Sequence, residues 1–478
     1  MRPPADAGAG APLDGGGYAV TVCDARYAGQ AAQCTLSGGN MPGWRLRANL
    51  ISGDRLYVGG LLIVDGEGRI SHAGCPVTGG SSGGTPLLDC PGALASAGLI
   101  NLHEHIDYSY QQPAQPPTLT WTHRNEWRGL TAEQRGFEGD APKDPTVRTE
   151  VSLRAMLRHA LSGETAVSGA KDYRAYLRNL KLPEPPLATP WGAPVLDSTF
   201  PLGDAATRAI LAAPCTAAQV AAVKFTPEQA FVPHVGEGTG DGARWEVDCV
   251  LDAVRAKPTP SAFIHGTAIS EKQARRLAEQ QVAVVLSPRS NFQLYGRMAP
   301  VPALRQAGVT LALGTDWSPS GSLALLDEAR CLARHDRDAQ GGQLSAADLH
   351  RMMTQGPARA VGLQGQVGAL AAGEWADLVL WDTEGRTSLA EVLQRTALPQ
   401  TLGVWVGGRI ASAPPAWADR LPPLAGCEPD PRQLCGQPRL VCGGDPQYPL
   451  ARLLQQASYT LDDARLCRPQ ATDDCVAR

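Results

Sequence analysis

The pattern that most constrains this chain is a series of short apolar runs that each end in a polar side chain able to bind a metal or move a proton. The first run, residues 96–102, leads into His103-Glu-His105. Residues one position apart project from the same face of a strand, so both imidazoles can reach one metal ion. Later apolar runs lead into His234 with Glu237, into His265, into the stretch 287–291, and into Asp316. A barrel of parallel strands gathers such strand ends on one face, where its active site lies.

Length and composition agree with a barrel. A chain of 478 residues suits a barrel of about 250 residues with accessory layers, and a hydrophobic fraction of 43% can fill a large core. Between residues 98 and 365, apolar runs alternate with helical patterns, as in repeated βα units. We expect helices over residues 151–162, 271–280 and 346–360.

Charge and hydropathy argue against binding to nucleic acid and against a membrane-spanning segment. The net charge is −4 and no basic block is available to neutralise phosphates, so nucleic acid is not an expected partner. No run of about 18 apolar residues occurs, so we expect no membrane span.

Five motifs together resemble the amidohydrolase superfamily, specifically its deaminase and chlorohydrolase branch with a cytosine deaminase-like, one-metal site. They are Gly98-Leu-Ile-Asn-Leu-His-Glu-His105, His234-Val-Gly-Glu237, His265-Gly266, Ser287-Pro-Arg-Ser-Asn291 and Gly314-Thr-Asp316. The resemblance covers roughly residues 45–410. It implies an α/β fold, a (β/α)8 TIM barrel with a small β-sandwich domain built from both chain ends. Residues 59–70 and 367–382 look like strands of that sandwich.

The resemblance and the composition together predict four parts of the chain. Residues 1–44 form a flexible, cysteine-containing lead, and residues 45–97 with 366–415 form the sandwich. Residues 98–365 form the metal-dependent hydrolase barrel. Residues 416–478 form a cysteine-rich extension.

The resemblance also implies the roles of the strand-end residues. One divalent metal per chain, zinc or alternatively iron, is expected on three imidazoles and one carboxylate: His103, His105, His234 and Asp316. Glu237 is expected to pass protons between the water and the substrate's ring nitrogen or leaving group. His265 orients the water, and Asp316 also accepts its proton. Two-metal relatives use a carboxylated lysine, but Lys224 lies only ten positions before His234, too close for an intervening barrel helix.

Substrate contacts are predicted at strand ends and in the loop after the first barrel strand. Arg289 and Asn291 could contact substrate or form a structural cap. Tyr108 and Trp121 could line the pocket or pack over the barrel rim. Trp317 could form a pocket wall or simply pack beside Asp316.

The function that these residues predict is hydrolytic deamination of an amino-substituted heterocycle through a metal-bound hydroxide. The alternatives are hydrolysis of an amide or cyclic amide, or displacement of chloride, on the same scaffold. A catalytically inactive metal-binding protein is a further alternative. The expected partner is a small-molecule substrate, and a homo-oligomer is compatible with the sequence.

The 12 cysteines favour an oxidising compartment. Four precede the barrel, five follow it and three lie within it, which suggests disulfides that staple the accessory segments. A secreted, periplasmic or lipid-tethered protein is therefore expected, with a cytoplasmic protein carrying reduced thiols as the alternative. A structural zinc site is disfavoured because no Cys-x-x-Cys pair occurs. The N-terminus has no apolar signal core, so we expect an export signal either to have been removed or never to have existed.

Overall fold

The computed structural model describes most of the chain. The described residues are 13–77, 84–111, 120–128, 130, 141–182, 195–197, 200–203, 215–431, 433–455 and 466–475.

Strands and helices alternate through the middle of the chain, and strands dominate toward both ends. The strands are β1 (Ala19–Val22), β2 (Thr35–Ser37), β3 (Trp44–Ser52), β4 (Arg55–Val64), β5 (Ile70–Gly74), β6 (Leu87–Ala97), β7 (Leu99–Asn101), β8 (Glu164–Val167), β9 (Arg178–Asn179), β10 (Val195–Leu196), β11 (Ala230–Phe231), β12 (His234–Val235), β13 (Ala262–His265), β14 (Ala283–Leu286), β15 (Leu311–Leu313), β16 (Leu378–Asp382), β17 (Thr401–Val406), β18 (Arg409–Ala413), β19 (Glu428–Pro429) and β20 (Leu440–Val441). The α-helices are α1 (Arg124–Arg128), α2 (Pro145–Leu161), α3 (Ala217–Ala222), α4 (Asp241–Ala256), α5 (Glu271–Glu279), α6 (Pro288–Tyr295), α7 (Val301–Ala307), α8 (Leu325–Ala339), α9 (Ala346–Met353), α10 (Gln355–Ala360), α11 (Leu389–Arg395) and α12 (Leu450–Gln455).

An eleven-stranded sheet unites the two ends of the chain. Its order is β1-β4-β3-β6-β16-β17-β18-β20-β19, with β2 also on β6 and β5 also on β4. Strand β16 lies between β6, which precedes the barrel, and β17, and it is antiparallel to both. Buried apolar side chains fill its interior, where the rings of Trp44 and Trp405 stack 5.4 Å apart. The sheet built from both chain ends is therefore present as predicted.

Both terminal segments contribute to this sheet more than the sequence indicated. Residues 1–44 were predicted to be a flexible lead, yet β1 pairs with β4 and β2 pairs with β6. The first 12 residues lie outside the described part of the chain. In the predicted extension, β19 and β20 continue the sheet beyond β18. The reason is long-range strand pairing, which local composition does not encode.

The middle of the chain forms parallel strands separated by helices. The sheets are β7-β8-β9, β10-β11 and β12-β13-β14-β15, and all their pairings are parallel. A hydrogen bond of 3.5 Å from Leu102 N to Leu313 O joins the β7 side to the β15 side. A bridge between Phe231 and Ser261 joins the β11 strand to the β13 strand. These strands are buried, as expected when helices cover a parallel sheet.

The predicted helices are present with small differences in their ends. The prediction for 151–162 falls within α2, and that for 271–280 matches α5, whose Ser270 forms a capping box with Gln273. The single helix predicted over 346–360 is two helices, α9 and α10, with the break at Thr354. The Gly356-Pro357 pair explains the break, because proline favours the start of a helix over its interior.

A buried ion pair connects the barrel to the accessory sheet. Arg178 of β9 donates to both carboxylate oxygens of Asp377, at 2.7 and 2.9 Å. The same carboxylate accepts from the backbone N–H of Gly407 at 2.7 Å. Among the helices of the described residues, none has the length and apolar character that a membrane crossing requires.

All twelve cysteines are paired, which confirms the predicted disulfides. The pairs are Cys23–Cys75, Cys34–Cys90, Cys215–Cys249, Cys331–Cys475, Cys427–Cys442 and Cys435–Cys467. Two of them involve barrel residues, so the disulfides also reach the barrel itself. This pairing is compatible with an extracellular location.

Candidate metal centre

The residues that the sequence singled out meet at the C-terminal ends of the parallel strands. His103 and His105 follow β7, and His234 begins β12. His265 is the last residue of β13, and Asp316 lies three residues after β15. Since parallel strands end at the same edge, residues far apart in sequence come together there.

The donor atoms of the four predicted ligands lie close to one another. The Nε2 atom of His103 is 3.2 Å from His105 Nε2, 3.1 Å from His234 Nε2 and 3.3 Å from Asp316 Oδ1. The Nε2 of His105 is 3.5 Å from the same Asp316 oxygen. Four ligands placed tetrahedrally about 2.0–2.1 Å from a zinc ion are about 3.3–3.4 Å from each other. The set therefore has the spacing of a metal site.

The surroundings of His103 favour a cation at this point. Its Nδ1 lies 2.8 Å from the hydroxyl of Ser287, so Nε2 is the atom directed at the other donors. Burial, followed by the neighbouring imidazoles of His234, His265 and His105, holds the pKa of His103 well below its usual value. Imidazoles that resist protonation and point ring nitrogens at one another suit a shared metal ion.

Backbone conformation at the site is unusual, as is common where function requires it. Asp316 has φ of 60° and His265 has φ of 71°, both in the left-handed region that non-glycine residues rarely occupy. Such residues cost about 1–3 kcal/mol each and persist only when their surroundings hold them. Gly314 allows β15 to approach, because a Cβ there would lie 2.4 Å from the Cβ of His103.

A possible acid and a possible base face the same space as His265. The Nε2 of His265 is 3.8 Å from Glu237 Oε1 and 3.9 Å from Asp316 Oδ2. Glu237 Oε1 accepts a hydrogen bond of 2.6 Å from the Tyr295 hydroxyl, while its Oε2 is buried with no hydrogen-bond partner among the described residues. Burial raises the pKa of Asp316, against the neighbouring imidazoles of His265 and His105. These groups can hold and transfer protons beside the metal ligands.

Helix α6 and its N-cap residue contact four of these functional side chains. Ser287 contacts His103, and the Ser290 hydroxyl donates to Asp316 Oδ2 at 2.5 Å. Asn291 Oδ1 lies 2.9 Å from His265 Nδ1. Tyr295 donates to Glu237, as described above. Sequence reasoning missed Ser287, Ser290 and Tyr295, although the spacing of 287, 291 and 295 is that of one helix face.

The predicted substrate contacts on α6 have partners elsewhere in the protein. Arg289 directs its guanidinium to Ser322 Oγ, Ala471 O and Asp474 Oδ1, which agrees with the structural alternative for this residue. Asn291 orients His265 instead of reaching open space. The sequence treated both as strand-end residues, but β14 ends at Leu286 and they lie in a helix.

The predicted aromatic contacts lie near the metal ligands. The ring of Tyr108 is 6.1 Å from that of His105 and 6.0 Å from that of Trp317. Trp121 and Trp317 belong to a small apolar cluster with Trp127 and Tyr295. Their roles as substrate contacts stay predictions.

A cavity of about 280 Å³ opens onto His103, His105 and His234. Its lining includes five charged residues that sequence reasoning missed: Glu104, Asp107, Lys171, Lys181 and Asp197. Asp197 follows β10 directly, and burial raises its pKa. The position of Asp197 at a strand end is the sequence signal that could have identified it as a site residue. Lys224, the lysine that the sequence considered for a two-metal site, lies elsewhere, exposed and donating to Ala221 O.

A buried ionic cluster lies behind the His103-x-His105 segment. Glu104, the residue between the ligands, pairs with Arg158 at 3.5 Å and with His159 at 3.3 Å. Burial alone would raise the pKa of Glu104, but these cations and the Thr315 hydroxyl hold it below its usual value. His159 also contacts Glu164 at 2.7 Å. Burial and the charge of Arg158 lower the pKa of His159, but the carboxylates of Glu164 and Glu104 outweigh them and raise it above its usual value. The cluster fixes the backbone between the ligands.

Comparison with known sequences gives matches to deaminases. Residues 245–411 match the amidohydrolase family. A 5-methylthioadenosine/S-adenosylhomocysteine deaminase of Syntrophobacter fumaroxidans is 39% identical over 121 residues, which are 25% of this chain and 28% of the relative. A probable guanine deaminase of Deinococcus radiodurans is 32% identical over 212 residues, 39% of this chain and 48% of the relative. The chain therefore spans less than half the length of these curated relatives.

Solved structures share the fold over a larger part of the chain. A guanine deaminase from C. acetobutylicum with bound guanine has a TM-score of 0.55 at 13% identity, covering 77% of this chain and 99% of that chain. A zinc-bound adenosine deaminase from Xanthomonas campestris has a TM-score of 0.53 at 19% identity, covering 77% and 93%. A zinc complex of an atrazine chlorohydrolase from Arthrobacter aurescens has a TM-score of 0.51 at 18% identity, covering 77% and 95%. At these identities the likeness concerns the fold.

Proposed function

Because the chain belongs to the amidohydrolase superfamily, in its deaminase branch, we propose that it removes an amino group from a heterocyclic small molecule by metal-dependent hydrolysis. The reaction replaces the C–N bond to the amino group by a C–O bond from water and releases ammonia. The deaminase matches support this reaction class, and the fold supports it independently through the position of the site at the strand ends.

His103, His105, His234 and Asp316 would hold the metal, and we propose zinc. Three nitrogens and one oxygen are a donor set that zinc accepts readily, and the other three donor atoms lie 3.1–3.3 Å from His103 Nε2. When bound, such an ion supplies Lewis acidity, which lowers the pKa of water toward neutrality. The remaining chemistry falls to the protein's own side chains.

Asp316 and His265 would act on the attacking water. The Asp316 carboxylate, whose pKa burial raises, accepts the proton that the water loses as it attacks the carbon bearing the amino group. His265 donates its Nδ1–H to Asn291 Oδ1, which leaves the lone pair of Nε2 to accept a hydrogen bond from the attacking water and orient it. Ser290 keeps the carboxylate of Asp316 in position through its 2.5 Å hydrogen bond.

Glu237 would carry the proton to the substrate. Its Oε1 is held by the Tyr295 hydroxyl, while its buried Oε2 has no partner among the described residues. An unpaired buried carboxylate oxygen is costly unless a ligand satisfies it. A ring nitrogen that takes up a proton from this oxygen as water adds to the neighbouring carbon would satisfy it, and this oxygen is the observation that carries the proposal.

The test combines metal analysis with ammonia release. Elemental analysis of the purified protein is expected to give about one zinc per chain. Ammonia release is then measured with a panel of aminopurines, aminopyrimidines and aminotriazines. Release of chloride from a chlorinated ring, or cleavage of a cyclic amide, would favour the alternative reactions instead. Absence of metal would contradict the proposal.

A matched pair of variants tests the role of Glu237. Glu237→Gln keeps the size and the hydrogen bond to Tyr295 but cannot carry a proton, so turnover is expected to fall about 10²–10⁴-fold with metal content unchanged. Glu228→Gln makes the same change at an exposed position and should leave turnover unaltered. Unaltered turnover in Glu237→Gln would refute the assigned role.

The six disulfides support a finer proposal on location. We propose that the protein works in an oxidising compartment outside the cytoplasm, as a secreted, periplasmic or lipid-tethered enzyme.

A further inference from the structure

Helix α6 has a functional side and a side that faces the C-terminal segment. Toward the site it offers the serine, asparagine and tyrosine contacts described above. On the other side, Gln293 Nε2 donates to Asp474 Oδ2 at 2.8 Å, and Arg289 Nη1 donates to Asp474 Oδ1. One carboxylate outside the barrel therefore touches two turns of the helix that contacts four functional side chains.

The C-terminal segment, residues 466–475, is fastened at both ends. Cys467 pairs with Cys435 near its start, and Cys475 pairs with Cys331 of α8 at its end. Between them, Gln470 N donates to Asp327 Oδ1 at 2.9 Å. Two covalent attachments and a backbone contact give the segment a fixed course over α6 and α8.

Because Arg289 is a buried cation on α6, the position of this helix depends on the carboxylate of Asp474 that pairs with it. The Arg289 side chain is only 2% exposed, so its guanidinium depends on protein partners in place of water. Asp474 is the carboxylate that pairs with the guanidinium, and Ala471 O and Ser322 Oγ each accept from it at 2.8 Å. The buried Glu328 accepts from the backbone N–H of Arg289 and also interacts electrostatically with the Arg289 charge. A buried guanidinium that loses its carboxylate must shift or admit water, and either movement displaces α6.

We propose that Asp474, through Arg289 and Gln293, is a positioning residue for the metal centre. The fastened segment holds α6 so that Ser287 and Ser290 fix the ring of His103 and the carboxylate of Asp316. Contacts of this kind beyond the ligands set their orientation, and losing them weakens metal binding about 10–100-fold. The link to turnover rests on the proposed reaction, whereas the link to metal retention rests only on the proposed metal site.

The test measures zinc release, which is separate from turnover. The full-length, zinc-loaded protein is mixed with excess chromogenic chelator, and the release rate is followed well below the melting temperature. Asp474→Asn is expected to release zinc about 10-fold faster than the unmodified protein. Asp473→Asn is the matched control, because Asp473 is 89% exposed and pairs with Arg334 at the surface. It should release zinc at the unmodified rate, and Asp474→Glu should restore part of the loss.

Turnover gives a second readout once a substrate is known. Asp474→Asn is expected to lower kcat about 10-fold with KM nearly unchanged, since the displaced groups act on the reaction more than on substrate capture. Because a smaller folded fraction would also lower the apparent kcat without changing KM, kcat is calculated per folded, zinc-loaded protein.

Each outcome decides the proposal. Equal release rates for Asp474→Asn and the unmodified protein would overturn it and leave the proposed function intact. An unmodified protein that retains no zinc would overturn both. If Asp474→Asn does not fold, Gln293→Met decides, because it removes the second contact to Asp474 without leaving an unpaired charge. Faster release in that variant supports the proposal, and an unchanged rate overturns it.

Discussion

The Arg124–Glu246 pair offers a direct measure of how strongly buried charge holds the site together. Arg124 opens α1 and donates to Glu246 of α4 at 2.9 and 2.6 Å, with both side chains fully buried. Glu246 also accepts from the backbone N–H of Gly236 at 3.0 Å. Gly236 has φ of 68° and lies between His234 and Glu237, so this carboxylate supports the loop that carries both. The perturbation is Glu246→Gln.

The expected cost follows from the charge that remains. Glutamine can still accept from Gly236, but its amide NH₂ cannot accept from Arg124, and the buried guanidinium loses the carboxylate that accepts two of its hydrogen bonds. Removing one partner of a buried pair costs about 3–5 kcal/mol. At about 2–4 °C per kcal/mol for a large domain, a loss of 3 kcal/mol lowers Tm by about 6–12 °C.

Thermal unfolding under non-reducing conditions measures this shift. The matched control is Asp241→Asn on the same helix, whose pair with Arg244 is exposed, with side chains 75% and 45% accessible. An exposed pair contributes about 0–1 kcal/mol, so the control should melt within about 2 °C of the unmodified protein. The double variant Arg124→Met with Glu246→Gln removes both charges and should recover much of the loss. A Tm for Glu246→Gln within 2 °C of the unmodified protein, or no recovery in the double variant, would refute this reasoning.

Two further predictions concern pH and redox state. Ser96 donates to Ala97 O, so His350 Nε2 donates to Ser96, and Nδ1 accepts from the Tyr18 hydroxyl. Burial lowers the pKa of His350 to about 3. As the pH falls, the imidazole therefore binds a proton in the unfolded chain before it does so in the folded protein. Free energy of unfolding on the order of 5 kcal/mol is lost as the pH falls from 6.5 toward 3. His350→Gln should flatten that part of the stability–pH curve, and an equally steep curve would contradict the assignment. Alkylation of the denatured protein should label no cysteine without reductant and twelve after reduction, as counted by intact mass; any label before reduction would show an unpaired thiol.

Much of the candidate site could be predicted because its pattern is local. Each ligand or acid–base residue lies at the end of an apolar run, and parallel strands bring such ends together regardless of the loops between them. His103, His105, His234 and Asp316 are for that reason neighbours in space, and the donor atoms of the other three lie 3.1–3.3 Å from His103 Nε2.

Other features could not be predicted because they depend on contacts between distant segments. Arg289 and Asn291 were expected at a strand end facing substrate, yet the chain turns into α6 at Pro288 and their side chains meet Asp474 and His265. Burial of Glu104 against Arg158 and His159 likewise depends on how α2, which carries both cations, packs beside the segment that carries Glu104. Hydrophobic periodicity carries no information about which polar groups meet in this way.

The sequence by itself determined the alternation of strands and helices, the apolar strands and the strand-end chemistry, because these depend on residue spacing along one segment. Tertiary structure alone decided the six disulfide pairs, since many pairings of twelve cysteines agree with any one sequence. It also decided that residues 13–44 and the C-terminal segment join the folded body. Strand pairing, ion-pair burial and disulfide geometry are set by distances between segments, and those distances exist only in the folded chain.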